Sequence, residues 1–171
     1  MAGDILVYPD GRLEFADRTW RCALGKGGLI ADKREGDGAT PLGCFVLRRV
    51  LYRPDRLTAA PETGLPVVAL DPADGWCDDP SHPDYNQPIR LPHPARHELL
   101  WREDGVYDVV VVLGHNDAPP RPGFGSAIFL HVARPEYQPT EGCVALALPD
   151  LLDVLKYCGP DTRLCVAPLC V

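Results

Sequence analysis

The 171-residue sequence predicts a mainly β domain with one helix. Three observations predict it. Proline and glycine are abundant, at 19 and 16 residues, which favours short strands and shaped loops over long helices. Apolar, β-favouring runs recur along the chain, each bounded by turn formers. One segment near the C-terminus carries helical spacing with start and stop signals. A chain of this length is expected to be one domain, residues 1–171, able to bury a core without disulfide staples.

The elements follow in order. Asp4–Tyr8 is a short apolar run, Pro9-Asp10-Gly11 a turn, and Arg12–Phe15 an alternating strand, so the chain opens on a hairpin. Thr19–Leu24 reads as a third strand. The Gly-rich stretch after it has no GxxxxGK[ST] pattern and no following helix, which argues against a phosphate loop. Lys33–Gly43 is a shaped loop that re-enters a strand at Cys44–Val50. Residues 53–66 are a connection and Val67–Leu70 a short strand. Residues 71–96 read as one long loop, and loops of that length are usually functional or mobile. Its Trp76, His82, Tyr85 and Asn86 either wall a cleft or pack the loop on itself. Glu98–Arg102 reads as a helical turn or an edge strand. Tyr107–Leu113 is the most apolar β run and is expected to be buried on both faces. Strands follow at Ile128–His131 and Val144–Leu148. Pro149–Cys158 is the helix, with Pro149 in its first turn, acidic Asp150 and Asp153 early, inward Leu151, Leu152, Leu155 and Cys158, Lys156 last, and Gly159-Pro160 as the stop. Arg163–Ala167 closes the chain as a strand.

Charge and cysteines narrow the classes. The net charge of −7 argues against a nucleic-acid partner. The first 60 residues are locally basic, and Lys33, Arg34, Arg48, Arg49, Arg53 and Arg56 could meet an anionic substrate, although a solvated strand face is the plainer reading. Seven cysteines without regular spacing do not form a disulfide framework, and no CxxC pair suggests zinc. The N-terminus has no signal-peptide pattern, and no run approaches the ~18 apolar residues of a membrane span. These features point to a reducing, cytoplasmic setting if the chain is full-length, and to a periplasmic one if a leader was removed.

The stretch Ile128–Leu148 carries the chemistry. It places His131 at the end of one strand and Cys143 at the edge of the next, twelve residues on. Strand pairing is how a cysteine nucleophile meets its base. Cys143 follows Gly142, whose freedom permits a tight turn with backbone N–H groups turned to an oxyanion. Each residue alone reads as structural, a buried thiol or a bonded imidazole; the pair is more telling. His115, at the end of the preceding strand, is the rival base.

Three segments carry a resemblance. Lys33–Phe45 (KREGDGATPLGCF) is similar to a lysine-to-TPxGxF motif, Gly125–His131 (GSAIFLH) to the strand before a catalytic His, and Thr140–Ala145 (TEGCVA) to a Ser/Thr-His-Gly-Cys-Ile/Val-Arg core. Together they resemble the YkuD-type L,D-transpeptidase family over most of the chain. Two positions depart from its pattern: Glu141 stands for the usual His and Ala145 for the usual Arg, as in a branch carrying Glu-Gly-Cys-Val-Ala.

The resemblance implies a YkuD-like β-sandwich catalytic domain with one helix after the cysteine. It implies acyl transfer from peptidoglycan stem peptides or muropeptides, with Cys143 as nucleophile, His131 as base and backbone amides at Gly142 and Cys143 as oxyanion donors. No metal or organic cofactor is implied. His115, Asn116, Ser126, Thr140, Glu141 and Tyr85 are candidate substrate-binding residues. An amine acceptor would give a crosslink or exchange; water would give L,D-carboxypeptidase activity on soluble tetrapeptides, the use expected of a cytoplasmic protein. A non-catalytic cell-wall-binding module and a cysteine hydrolase of another amide are the alternatives.

Overall fold

In the computed structural model, which describes residues 3–167, the chain forms fourteen short strands and one helix. The opening hairpin, β1 (Asp4–Val7) and β2 (Arg12–Phe15), continues antiparallel into β3 (Arg18–Arg21). A small parallel pair, β4 (Leu29–Ile30) and β5 (Thr40–Pro41), frames the Lys33 loop. The ten-residue β6 (Gly43–Tyr52) follows, with β7 (Val67–Ala69) parallel to its end.

Residues 71–96 are not one loop. They contain β8 (Asp74–Cys77) and β9 (Pro88–Arg90), which join β10 (His97–Leu99) in a separate three-stranded antiparallel sheet. The sequence hid these strands because they are three or four residues long and hold Gly, Pro and Asp, which read as turns. The edge-strand reading of Glu98 holds. Then come β11 (Val109–Leu113), β12 (Phe129–Val132), β13 (Val144–Leu146), helix α1 (Leu148–Leu155) and β14 (Arg163–Val166).

The large sheet runs β13-β12-β11-β6-β14-β1-β2-β3. Its two ends meet. Ala23, just past β3, exchanges two hydrogen bonds of 2.8 and 3.0 Å with Ala145 of β13, so the sheet rolls on itself and both open edges are covered. Ala145 is fully buried in this seam.

Strand alternation then divides the core. On the inner face Val109, Val111 and Leu113 pack with Ile5, Val7, Leu130, Val144 and Leu146, and α1 adds Leu151, Val154 and Leu155. On the outer face Val110, Val112, Phe129 and Cys143 pack under Trp76, Leu100 and Tyr107. β11 is therefore buried on both faces, as its unbroken valine run predicts. The helix is shorter than Pro149–Cys158 and buries Val154 fully, with Leu152 only partly covered. Gly159 and Thr162 close a turn beyond it, before β14.

The cysteine reading needs correction. Cys44 of β6 and Cys165 of β14 stand opposite each other and form a disulfide across 121 residues of sequence. Spacing could not show this, because the pair is made by strand register. Cys170 lies outside the described residues. Closing so long a loop restricts the unfolded chain. Adding a reductant is expected to lower stability by about 2–4 kcal/mol, seen as a fall in Tm. An unchanged Tm would mean that the thiols are unpaired in solution.

Candidate active site

β12 and β13 lie side by side and parallel, with Leu130 opposite Val144 and His131 opposite Ala145. Continuing that register places Cys143 beside Phe129. Phe129, His131 and Cys143 therefore share the outer face, the His and Cys diagonal neighbours at roughly 8 Å between Cα atoms.

Thr140 builds the bend that delivers the cysteine. Its hydroxyl donates to the Cys143 carbonyl at 2.6 Å and accepts the Gly142 N–H at 3.1 Å. Its backbone is tied to Leu24 and Lys26, so the bend hangs from the N-terminal segment. Gly142 has φ +135°, and a Cβ there would stand 2.8 Å from the Ala39 carbonyl oxygen. Glycine is needed on both counts. The expected oxyanion role of the Gly142 N–H is not what the resting geometry shows, because that donor is committed to Thr140.

Cys143 is 7% exposed. Its sulfur accepts the Phe129 N–H at 3.3 Å and donates to the Ala127 carbonyl at 3.2 Å. Ala127 is held at φ +53°, and its N–H is bound by the buried amide of Asn86. Burial pushes the thiol up to about 12; the Phe129 N–H pulls the other way. His131 is equally buried. Its Nδ1–H donates to the Val132 carbonyl at 2.9 Å, which leaves Nε2 as the acceptor nitrogen. Burial pushes the imidazole down to about 4, against the pull of that carbonyl. Thiol and imidazole thus rest neutral, and among the described residues no hydrogen bond joins them. The edge-on ring of Tyr107, 5.3 Å between centroids, braces the imidazole.

Both side chains open on a cavity of about 340 Å³. Of the candidate residues, Ser126, Thr140 and Glu141 line it as well. The Ser126 hydroxyl donates to Glu35 at 2.6 Å, and Glu141 stands at the rim, paired with Lys26 at 2.9 Å.

His115, Asn116 and Tyr85 do not line it, which corrects their assignment. His115 and Asn116 face a separate hollow of about 240 Å³. His115 packs edge-on against Phe45, and its Nδ1 has no partner among the described residues. The rival base thus lies outside the cavity lined by Cys143. Asn116 ties its own loop to Arg121 and Gly125. Tyr85 is a buried prop, donating to Glu35 at 2.6 Å and accepting the Gly125 N–H at 3.1 Å. Trp76 and Asn86 are internal too: the indole donates to Asn86 at 3.0 Å and its ring meets Phe129 edge-on. Of the basic group, Arg48, Arg53 and Arg56 are paired with acids away from the cavity, whereas Lys33 lines it in an ion pair with Asp37.

Tyr107, Glu98, Asp78, Arg102 and Arg134 line the cavity without having been singled out from the sequence. No motif marks them. Glu98 reaches the site because the small sheet folds over the large one, and Tyr107 enters from the turn before β11.

His82, Asp84 and His93 come close enough to suggest a metal site. Their hydrogen bonds do not fit one. Both Nδ1 atoms accept backbone N–H groups, at 3.0 and 3.1 Å, so each Nε2 carries its proton and cannot ligate, and that of His93 donates to Asp84 at 2.9 Å.

No curated protein and no solved structure matches the chain. The family model of the YkuD L,D-transpeptidase catalytic domain matches residues 3–166, nearly the whole length, and spans both halves of the site. The chain therefore belongs to the YkuD family of L,D-transpeptidase catalytic domains.

Proposed function

We propose that this chain catalyses acyl transfer on peptidoglycan stem peptides through a thioester on Cys143. The observation that carries the reading is a thiol and an imidazole with its Nε2 lone pair free, brought to one cavity by paired strands. His131 Nε2 takes the thiol proton as the sulfur attacks the carbonyl on the L-centre of the third stem residue. With the thiol near 12 and the imidazole near 4, proton transfer accompanies attack rather than preceding it as a resting ion pair. The Cys143 N–H serves the developing oxyanion, since that of Gly142 is bound to Thr140. The imidazolium then protonates the leaving amine, the C–N bond breaks, a terminal D-amino acid departs and the thioester remains. The attacking sulfur and the imidazole must close a gap that is open at rest, as is common in empty sites.

Either an amine or water completes the cycle. The Cys44–Cys165 disulfide supports an oxidising setting, where wall can be crosslinked, over the reducing one in which soluble tetrapeptides would be trimmed. That favours the amine acceptor. Incubation with stem tetrapeptides, followed by mass spectrometry of protein and products, tests the reading. A Cys143 adduct with dimers supports transpeptidation, and a tripeptide alone supports carboxypeptidase activity. No adduct and no product would leave a binding module or a different amide substrate.

A further inference from the structure

We propose that Glu98 selects an acyl donor bearing a free side-chain ammonium on the residue whose carbonyl is attacked, an inference that rests on the acyl-transfer reading above. The three cations lining the cavity are already matched. Lys33 pairs with Asp37, and both Arg102 and Arg134 pair with Asp104, at 2.6 and 3.3 Å. Of the lining carboxylates, Asp78 takes Arg96 at 3.1 Å, and Glu141 takes Lys26. Glu35 accepts two hydroxyls.

Glu98 differs. Its Oε1 accepts the Tyr107 hydroxyl at 3.1 Å, and among the described residues Oε2 has no hydrogen bond and no cation pairs with the carboxylate. Glu98 stands opposite Trp76 across β10 and β8 and so faces the same way, toward the row of Phe129, His131 and Cys143. Burial pushes its carboxyl up to about 7. The Tyr107 hydroxyl and Arg102 act against that rise, and Asp78 and Glu35 add to it. A partly buried carboxylate with an open oxygen and no directly bonded cation, its one neighbouring cation Arg102 being paired with Asp104, is relieved by a cation brought in by ligand. In the proposed donor, a diamino acid at the third stem position supplies an ammonium there.

The test uses the whole chain and two tetrapeptides, one with the free side-chain amine at position three and one with that amine acetylated. Above pH 7 the wild type is expected to favour the free amine by about 10- to 100-fold in kcat/KM, the range of a hydrogen bond to a charged group. The preference should fade as pH drops through about 7, where Glu98 gains its proton in the free protein. His131 near 4 and Cys143 near 12 do not titrate there. Glu98→Gln should bring the ratio close to one at every pH. A wild type with no preference, a preference unchanged by pH, or a Glu98→Gln protein that keeps the ratio would each overturn the inference while leaving acyl transfer standing. A wild type that acylates neither peptide would overturn both. The pH arm needs no variant, so it stands even if Glu98→Gln folds poorly.

Discussion

Cys143→Ala is expected to lower turnover of a stem tetrapeptide by on the order of 10⁴-fold or more and to abolish the covalent adduct. The fold should survive. The sulfur makes two weak hydrogen bonds, to Phe129 and Ala127, and an alanine fits the same space with loss of one heavy atom. A stability change of about 1 kcal/mol is the scale for such a truncation. Cys158→Ala is the contrasting control: its thiol is also buried, packs beside α1 and bonds to Val154, so its loss should act on stability and not on rate. The pH profile of the wild type on a donor without the free amine gives a further check. His131 holds its base form above about pH 4, so activity should stay level down to mildly acidic pH and fall as pH approaches 4. Wild-type turnover by Cys143→Ala would end the thioester mechanism.

Gly142→Ala is expected to destabilise the protein by roughly 2–4 kcal/mol and to cripple acylation in whatever fraction stays folded. Two effects combine. At φ +135° an L side chain is strained, and its Cβ would press on the Ala39 carbonyl oxygen at 2.8 Å, a backbone atom that cannot swing aside. Relief requires the bend at Thr140 to move, and that bend sets the position of Cys143. Gly123→Ala separates the effects. It has φ +85° but nothing within 4 Å of a Cβ, so it should cost about 1 kcal/mol and leave acylation near normal. Thermal melts and adduct formation on both variants decide the matter. Equal behaviour of the two would mean that the contact with Ala39 carries no weight.

Ala145 and Glu141 show how far a motif can be read. At both positions the sequence departs from the family pattern, and the consequences lie in tertiary structure. Ala145 is enclosed in the seam where the rolled sheet meets itself, fully buried and bridged to Ala23. Glu141 projects from the rim and pairs with Lys26, 115 residues earlier in sequence. The cysteines teach the same lesson. Cys143 was recognisable from its neighbours, whereas the Cys44–Cys165 bond was not, because it depends on which strands stand side by side.

The sequence by itself determined what local chemistry controls. Alternation and turn residues placed the opening hairpin, the valine strand, the strand bearing His131 and the one that follows Cys143, and the helix. Strand period and φ preference act within a few residues, so they are written in local sequence. Tertiary structure alone decided which groups meet. It put His131 and Cys143 on one cavity and His115 on another, tied the Gly142 amide to Thr140, turned Tyr85 and Asn116 into props, and folded the small sheet so that Glu98 joins Tyr107 beside the thiol. Those outcomes depend on register between distant strands and on burial, which shifts a thiol toward 12 and an imidazole toward 4. Burial belongs to the packed molecule, and no window of sequence contains it.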